Sequence, residues 1–328
     1  MTGLPVNSTM NGDTNLSMTS RKSILAAVIL AAVMFLSHGN AARAGERIVL
    51  LVSANDAPFK ETLAGFSEYL AHQGIQSGFE VVNLDGDAGK AGPAIQKIKS
   101  GGTRLVLTLG SLATDAAVRQ ISDIPIVACL VLRTEGLKNT RNATGVGLEF
   151  PLETQIERLR QILPNARTIG VIYNPDENQR RVDAAAEIAK KAGLRIEAYA
   201  IRSPQEIPAA LNMLSRRVDV LWGIPDSITL SPLMAKNVLL FSLRNSIPFV
   251  GPSAAWVKAG ALYSLDGDYA DLGAQCGEIA TRVLQGTAPE SIPAVAPRKV
   301  QYSLNLNTAR QMKLLLTDQL VSGARQTY

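Results

Sequence analysis

The apolar residues of this chain recur in short continuous runs that alternate with amphipathic stretches. The first run, Ile48–Val52, is rich in β-branched residues, as is typical of a strand buried on both faces. The stretch that follows opens at Pro58 and places apolar residues at helical spacing, at Phe59, Leu63, Phe66 and Leu70. This pattern predicts a strand and then a helix, and the same unit recurs along the chain.

The later units predict the rest of the fold. We expect strands at residues 80–84, 105–109, 126–131, 169–173, 195–200, 218–223 and 261–265. We expect helices at residues 94–99, 113–120, 152–162, 182–192, 207–214 and 230–244. Strands joined by helices need crossover connections, which favour parallel sheets. At 328 residues the chain suits two domains, with a break near residues 145–151, where Gly, Asn and Pro cluster. The predicted fold class is therefore α/β, with two doubly wound parallel-sheet lobes.

The first 44 residues have the order of a secretory signal peptide. Arg21 and Lys22 precede an apolar run at residues 24–36, and the small-residue site Ala42-Arg43-Ala44 follows. The run is shorter than the roughly 20 residues needed to span a bilayer. We therefore predict a signal peptide at residues 1–44, cleaved near Ala44, and a periplasmic protein. The sequence leaves open whether Met1 or Met18 is the initiator.

Composition and charge exclude several classes of protein. With 46% hydrophobic and 19% charged residues, the chain has enough apolar material for a packed core. Its net charge is +5 and its basic residues are scattered, so no nucleic-acid partner is indicated. His38 and His72 are the only histidines, and neither has a second ligand at metal-site spacing, so we predict no metal and no cofactor. Cys129 and Cys276 both fall in apolar surroundings typical of the core, and the sequence leaves open whether they pair.

Polar side chains follow several of the predicted strands. Parallel sheets bind ligands at the carboxyl ends of their strands, where helix N-termini present free N–H groups. These positions hold hydroxyl, amide and carboxyl groups, at Asn55, Ser111, Tyr173, Asn174, Asn178, Asp226 and Asp268. Each such residue alone is more often a helix cap than a ligand contact. Together, on two lobes that face each other, they predict a cleft for a small polar or zwitterionic molecule.

Enzyme motifs are missing from the sequence. There is no G-x-S-x-G elbow, and no histidine lies near a strand-end serine to activate it. Residues 86–91 lack the spacing of a phosphate loop, and Gly145-Val146-Gly147 lacks the third glycine of a dinucleotide site. Asp226 and Asp268 could form an acid–base pair, but no lysine, histidine or metal motif supports them. We therefore predict a ligand-binding protein with no catalytic residues, not an enzyme.

From about residue 142 to residue 313 the chain resembles the ABC-transporter solute-binding proteins of the tryptophan/tyrosine-type group. The similar stretches include Asn142-Ala143-Thr144-Gly145-Val146, Leu163-Pro164-Asn165-Ala166, Tyr173-Asn174-Pro175, Ile247-Pro248-Phe249, Asp268-Tyr269-Ala270-Asp271-Leu272-Gly273 and Leu304-Asn305-Leu306-Asn307-Thr308-Ala309. The resemblance implies a periplasmic-binding type 1 fold, in which residues 269–284 cross back to the first lobe and residues 299–304 return to the second. The lobes would then comprise residues 45–148 plus 267–292 and residues 149–266 plus 293–320, joined by a multi-strand hinge.

The resemblance also implies a function. The lobes would close over the ligand, and the closed form would dock on an inner-membrane permease driven by a cytoplasmic ATPase; we expect the carrier to be a monomer. For an amino-acid-like ligand, Ser111 and the start of its helix suit a carboxylate, and Asp226 or Asp268 suits an ammonium group. Tyr173 could stack on a flat side chain.

Further contacts follow from the same resemblance, with two departures from the family pattern. Asn174, Asn178 and Ser253 would supply hydrogen bonds to the ligand. Gln179 stands where the family has serine, and Arg133 lies in a segment that departs from the family pattern, where it would meet an anionic ligand group or lie solvated at the rim. The identity of the ligand is left open.

Other functional classes compete with transport. The same fold could serve as a ligand-sensing input module for a membrane receptor, without transport. It could also be the effector domain of a repressor, but no helix-turn-helix precedes it.

Overall fold

The computed structural model describes residues 47–75, 78–132, 134–229 and 232–328. The predicted signal peptide, both possible initiators and Arg133 lie outside these ranges. Arg47–Tyr328 form one compact unit. Within the described ranges, no helix combines the length and apolarity required to cross a membrane.

Two sheets organise this unit, and both are flanked by helices. The first has five parallel strands in the order β2-β1-β3-β4-β5, namely β1 (Ile48–Val52), β2 (Glu80–Asn83), β3 (Leu105–Leu109), β4 (Ile126–Val131) and β5 (Ala143–Gly147). The second has seven strands in the order β12-β11-β10-β9-β8-β6-β7, namely β6 (Thr168–Tyr173), β7 (Arg195–Ala200), β8 (Val220–Trp222), β9 (Phe249–Gly251), β10 (Tyr263–Gly267), β11 (Val300–Leu304) and β12 (Gln326–Thr327). The predicted α/β class with two sheets is confirmed.

The α-helices follow the strands as the crossover rule requires. They are α1 (Ala57–His72), α2 (Ala91–Ser100), α3 (Ser111–Gln120), α4 (Glu135–Lys138), α5 (Leu152–Ile162), α6 (Pro175–Lys191), α7 (Ile207–Leu214), α8 (Pro232–Asn245), α9 (Ala254–Ala259), α10 (Tyr269–Leu284), α11 (Leu306–Gln311) and α12 (Asp318–Ser322). Short 3₁₀ turns lie at Ala88–Lys90, Pro204–Glu206 and Pro289–Ser291.

The central strands of each sheet are buried on both faces, which explains their continuous apolar runs. All five residues of β1 are buried, and so are all five of β3. One face of the first sheet packs against α1 and α10, and the other against α2 and α3. The second sheet packs against α5, α6 and α11 on one face and against α7, α8 and α9 on the other.

The chain passes between the two sheets three times. Residues 148–151 lead from β5 to α5, and Asp268 leads from β10 of the second sheet to α10, which packs against the first. Residues 296–299 then lead to β11, which pairs with β10. These connections follow the course that the family resemblance implies, and the exact lobe boundaries remain a prediction.

The structure corrects several predicted elements. The expectation of wholly parallel sheets is wrong for one pair, because β11 runs antiparallel to β10. The sequence does not predict β5, whose two glycines hide its strand character; it ends at Gly147, within the predicted break near residues 145–151. Helix α6 begins at Pro175 rather than residue 182, because the Asn174 side chain caps it by accepting a hydrogen bond from the Asp176 N–H at 3.1 Å.

The cysteines lie in the core between β4 and α10. Both carry free thiols and both are buried. Burial, together with the neighbouring thiol of Cys129, raises the pKa of the Cys276 thiol. The thiols therefore behave as small apolar core groups in this structure, as their sequence surroundings predict.

Helices α1 and α10 cross at two glycines with almost no space between their backbones. A Cβ atom on Gly65 would overlap the carbonyl group of Ala270, and one on Gly273 would overlap the carbonyl oxygen of Thr62. In both cases the obstacle is backbone, which cannot move aside as a flexible side chain would.

Gly65→Ala should therefore destabilise the protein by about 1–3 kcal/mol, because it separates α1 from α10. Gly92→Ala in α2 is the matched control, since nothing lies within 4 Å of a Cβ at Gly92. That control should be neutral or stabilising by up to about 1 kcal/mol. Urea unfolding measures both changes, and equal free energies of unfolding for the two variants would contradict the close crossing.

Candidate functional site

A cleft of about 1560 Å³ lies where strand ends of the two sheets meet. Ser111 and Asp115 of α3 line it from the first sheet, together with Leu132 and Gly136. Two of the connections between the sheets contribute further lining residues, among them Glu149, Phe150 and Ala296. From the second sheet the lining includes the first turns of α6, the residues after β8, the residues after β9 and the last residues of β10. Ser111 and Asp226 border the same cleft, as the sequence predicts.

The start of α3 is held open towards the cleft by its neighbours. The Ser53 hydroxyl, at the end of β1, accepts a hydrogen bond from the Ala113 N–H at 2.9 Å. Gly110 precedes the helix with φ +89°, and a Cβ there would lie 2.7 Å from the Ser53 hydroxyl oxygen. Ser111 then begins the helix at the edge of the cleft. A carboxylate could bind there, because a helix N-terminus carries partial positive charge and free N–H groups.

Strand β4 ends in a bulge beside the cleft. Its register with β5 shifts between Cys129 and Val131, and Leu130 between them has φ +57°, which is rare for a large side chain. The bulge redirects the chain, so that Leu132 lines the cleft with 49% of its surface exposed. This strand end therefore offers the ligand an apolar contact.

Asp226 holds together the two loops of the second sheet that follow β6 and β8. Its Oδ2 accepts hydrogen bonds from the Asn174 N–H at 2.9 Å and from the Asn178 amide at 3.4 Å. Its Oδ1 accepts from the N–H groups of Ile228 at 2.9 Å and Thr229 at 2.6 Å. The side chain is buried, and these four donors occupy the acceptor positions of a carboxylate. Asp226 therefore lines the cleft mainly as a structural anchor.

Arg181, Trp222 and Glu149 form a cluster at the cleft wall. The Arg181 guanidinium lies over the Trp222 ring, 5.8 Å from its centroid, and forms an ion pair with Glu149. Glu149 belongs to the first connection between the sheets, so the pair links that connection to α6. The indole and the guanidinium give this wall a flat surface that suits a planar group.

Tyr269 and Asp266 lie on the opposite side of the cleft, where β10 leads into α10. Burial, and then the negative charge of Asp266, raise the pKa of Tyr269 to about 12, although Arg325 acts in the opposite direction. The Arg325 guanidinium lies 5.1 Å from the centroid of the Tyr269 ring. Tyr269 is thus a neutral hydroxyl at any physiological pH, able to donate a hydrogen bond.

Four of the predicted ligand contacts line the cleft, namely Ser111, Asn178, Asp226 and Ser253. Four others do not, namely Asn55, Tyr173, Asn174 and Asp268. Arg133 lies outside the described residues, so its role stays a prediction.

The four residues that do not line the cleft lie elsewhere in the fold. Asn55 is exposed in the turn before α1, and Tyr173 is buried in the core with its hydroxyl donating to Gln179 at 2.9 Å. Asn174 and Asp268 cap α6 and α10, Asp268 by accepting from the Asp271 N–H at 3.0 Å. Asn174 and Asp268 thus cap the helices that follow their strands, and a ligand contact by any of these four residues stays a prediction.

Sequence reasoning also missed several lining residues, among them Glu149, Arg181, Trp222, Asp266 and Tyr269. Trp222 and Asp266 stand at strand ends and could have been found by the same rule that selected Asp226. Arg181 lies three residues after Asn178, on the same face of α6, a relation that appears only once the helix is known to start at Pro175.

Known proteins of similar sequence have the same architecture as this chain. Residues 48–328 match the family model described as ABC transporter substrate binding protein. The chain belongs to this family.

Known proteins of similar sequence or structure agree with the assignment. The tyrosine-binding protein of Clostridioides difficile (strain R20291) is 26% identical over 267 residues, covering 76% of each chain. The ligand-free, open structure of a substrate-binding protein with adhesive properties from Clostridium difficile has a TM-score of 0.71 at 23% identity, covering 86% of this chain and 98% of that one. A Streptococcus pneumoniae domain in complex with L-Trp has a TM-score of 0.64 at 23% identity, covering 87% and 100%. The substrate-binding protein therefore has a periplasmic-binding type 1 fold and is not an enzyme.

Asp226→Ala should lower the free energy of unfolding of the ligand-free substrate-binding protein by about 2–4 kcal/mol, because it leaves buried N–H and amide donors unpaired. Asp176→Ala is the matched control, since Asp176 lies on the same wall but forms only an exposed ion pair with Arg202 at 2.9 Å. The control should cost under about 1 kcal/mol. Thermal unfolding without ligand measures both, and an unchanged midpoint for Asp226→Ala would refute its anchoring role.

Proposed function

We propose that this protein is the soluble binding component of an ABC uptake transporter, that it works in the periplasm, and that it carries a small amino-acid-like molecule in the cleft. The observation that carries the proposal is the shared cleft, which Ser111 borders from the first sheet and Asn178 and Ser253 border from the second. A molecule bound there would touch both sides at once, so it would favour the conformation in which the sides are closer.

The chemistry of the lining supports an amino-acid-like ligand. The start of α3 suits a carboxylate. Four aromatic residues also line the cleft, of which Tyr269 is partly exposed and Phe150, Trp222 and Tyr263 are nearly buried. The relatives whose names mention tyrosine or L-Trp make these two amino acids the first ligands to test.

Membership of the family supports delivery to an inner-membrane permease, and a sensing role is the alternative. The two are distinguished in cells that lack the gene. Loss of uptake of the bound ligand supports transport, whereas unchanged uptake with a lost transcriptional or motility response supports sensing.

L-Tryptophan or L-tyrosine at about 100 times its dissociation constant should stabilise the mature protein by about 2.7 kcal/mol, which raises the unfolding midpoint by roughly 5 °C or more. Affinity in the micromolar range, about 8 kcal/mol, suits a carrier that must also release its ligand. Thermal-shift and calorimetric titrations measure both quantities.

Two tryptophan substitutions in α3 test whether the ligand binds in the cleft. Ser111→Trp should abolish the ligand-induced shift, because its ring would fill the cleft edge. Arg119→Trp, near the other end of the same helix and exposed, should retain it. Equal shifts in the two variants would place the ligand elsewhere and refute the cleft as the binding site.

A further inference from the structure

We propose that Asp266 is the counter-ion for a positively charged amino group of the ligand. This inference rests on the proposed function, since it assigns a role within the same cleft. It replaces Asp226 and Asp268, to which the sequence assigned the ammonium group, by a residue that the sequence passed over.

The end of β10 borders the cleft because the neighbouring strand, β9, ends before β10 does. Strand β9 ends at Gly251, which pairs with Ser264. Residues 265–267 therefore extend beyond β9, with β11 on their other side. Leu265, Asp266 and Gly267 all line the cleft. Asp266 is nevertheless only 6% exposed, so its carboxylate sits in the wall and not at the rim.

Two hydroxyl groups fix the orientation of this carboxylate. Ser264, two residues earlier on β10, donates to Oδ2 at 3.2 Å. Ser303, on β11 opposite Ser264, donates to the same oxygen at 2.8 Å. Both serines are buried. The hydrogen bonds therefore hold Oδ2 from within the sheet, and no hydrogen bond of the described residues uses Oδ1.

No cation among the described residues pairs with Asp266. The nearby cations Arg298 and Lys299 pair with a different carboxylate, that of Asp271, at 2.9 Å and 3.2 Å. Arg325, which donates to the carbonyl of Gly267, pairs with Glu61 at 2.8 Å. A carboxylate that is nine-tenths buried and held by hydroxyl groups alone is costly unless a positive charge joins it.

The other carboxylates of the cleft are less suited to a ligand cation. Asp226 accepts four hydrogen bonds from the protein, and Asp176 pairs with Arg202. Glu149 pairs with Arg181, and Glu177 accepts hydrogen bonds from the Ser227 hydroxyl and the Asn174 amide. Asp115 is exposed on α3, where water screens its charge. Asp266 thus combines burial, fixed orientation and an unmatched charge, which favours an amine-bearing ligand over a neutral polyol.

Matched ligand pairs test the role of the charge. L-Tryptophan and indole-3-propionate differ in the amino group, as do L-tyrosine and 3-(4-hydroxyphenyl)propionate; putrescine and myo-inositol complete the panel. Asp266→Asn keeps the shape and removes the charge, and Asp123→Asn is the control at an exposed carboxylate that does not line the cleft. Calorimetric titration gives the affinities, and the circular dichroism and unfolding midpoint of each variant confirm that it is folded.

Asp266→Asn should weaken binding of the amino acid that the wild type prefers by about 30-fold or more, and should leave its des-amino partner within about threefold. Asp123→Asn should leave both within about threefold. Ser303→Ala, which removes one orienting hydroxyl and keeps the charge, should give an intermediate loss and serves in place of Asp266→Asn if that variant does not fold.

Contrary outcomes separate the two proposals. Equal weakening of both members of a ligand pair, or none, would refute the role of Asp266 and leave the carrier function standing. Wild-type preference for the des-amino acids would do the same, whereas preference for myo-inositol would overturn the amino-acid-like ligand of the proposed function as well. A wild-type protein that binds nothing in the panel would overturn the amino-acid-like ligand of the proposed function and, with it, this inference.

Discussion

The close crossing of α1 and α10 at Gly65 and Gly273 determines how the two sheets meet. Helix α10 follows a strand of the second sheet but buries its apolar side against the first. The chain must therefore leave the second sheet at Asp268 and return to it at β11. Because both sheets are then joined at three connections on one side, their strand ends border a single cleft. The functional site is a consequence of this topology and not of any single motif.

Hydrogen bonding then divides the polar residues in and around the cleft into two groups. Asp226, Asn174 and Asp268 are used by the protein itself, since their oxygens accept from backbone N–H groups. Ser111 and Asp266 remain turned to the cleft, one at a helix start and the other at a strand end. Such a division is expected where a rigid scaffold must both hold its loops and leave groups for a ligand.

The sequence predicts the fold well where its signals are local. Strands β1 and β3 consist almost entirely of apolar residues, and their predicted bounds are the observed ones. Strand β9 has three residues and β5 contains two glycines, so neither produces a periodic signal. The first two turns of α6 are polar, and only the cap at Asn174 and the proline at position 175 mark their start. For the cleft, strand-end position identified Ser111 and Asn178, but it could not tell a cap from a contact, because that depends on which oxygens the backbone already uses.

We propose that the ligand binds in the cleft between the two sheets, and that the two sides of the cleft approach each other when the ligand is bound. Spin labels at Arg119 in α3 and Asp183 in α6, both exposed positions on opposite sides of the cleft, report this distance directly. Pulsed electron paramagnetic resonance with and without saturating L-tryptophan or L-tyrosine should give a shorter and narrower distance distribution in the liganded protein. An unchanged distribution in a protein that calorimetry shows to be saturated would contradict the account.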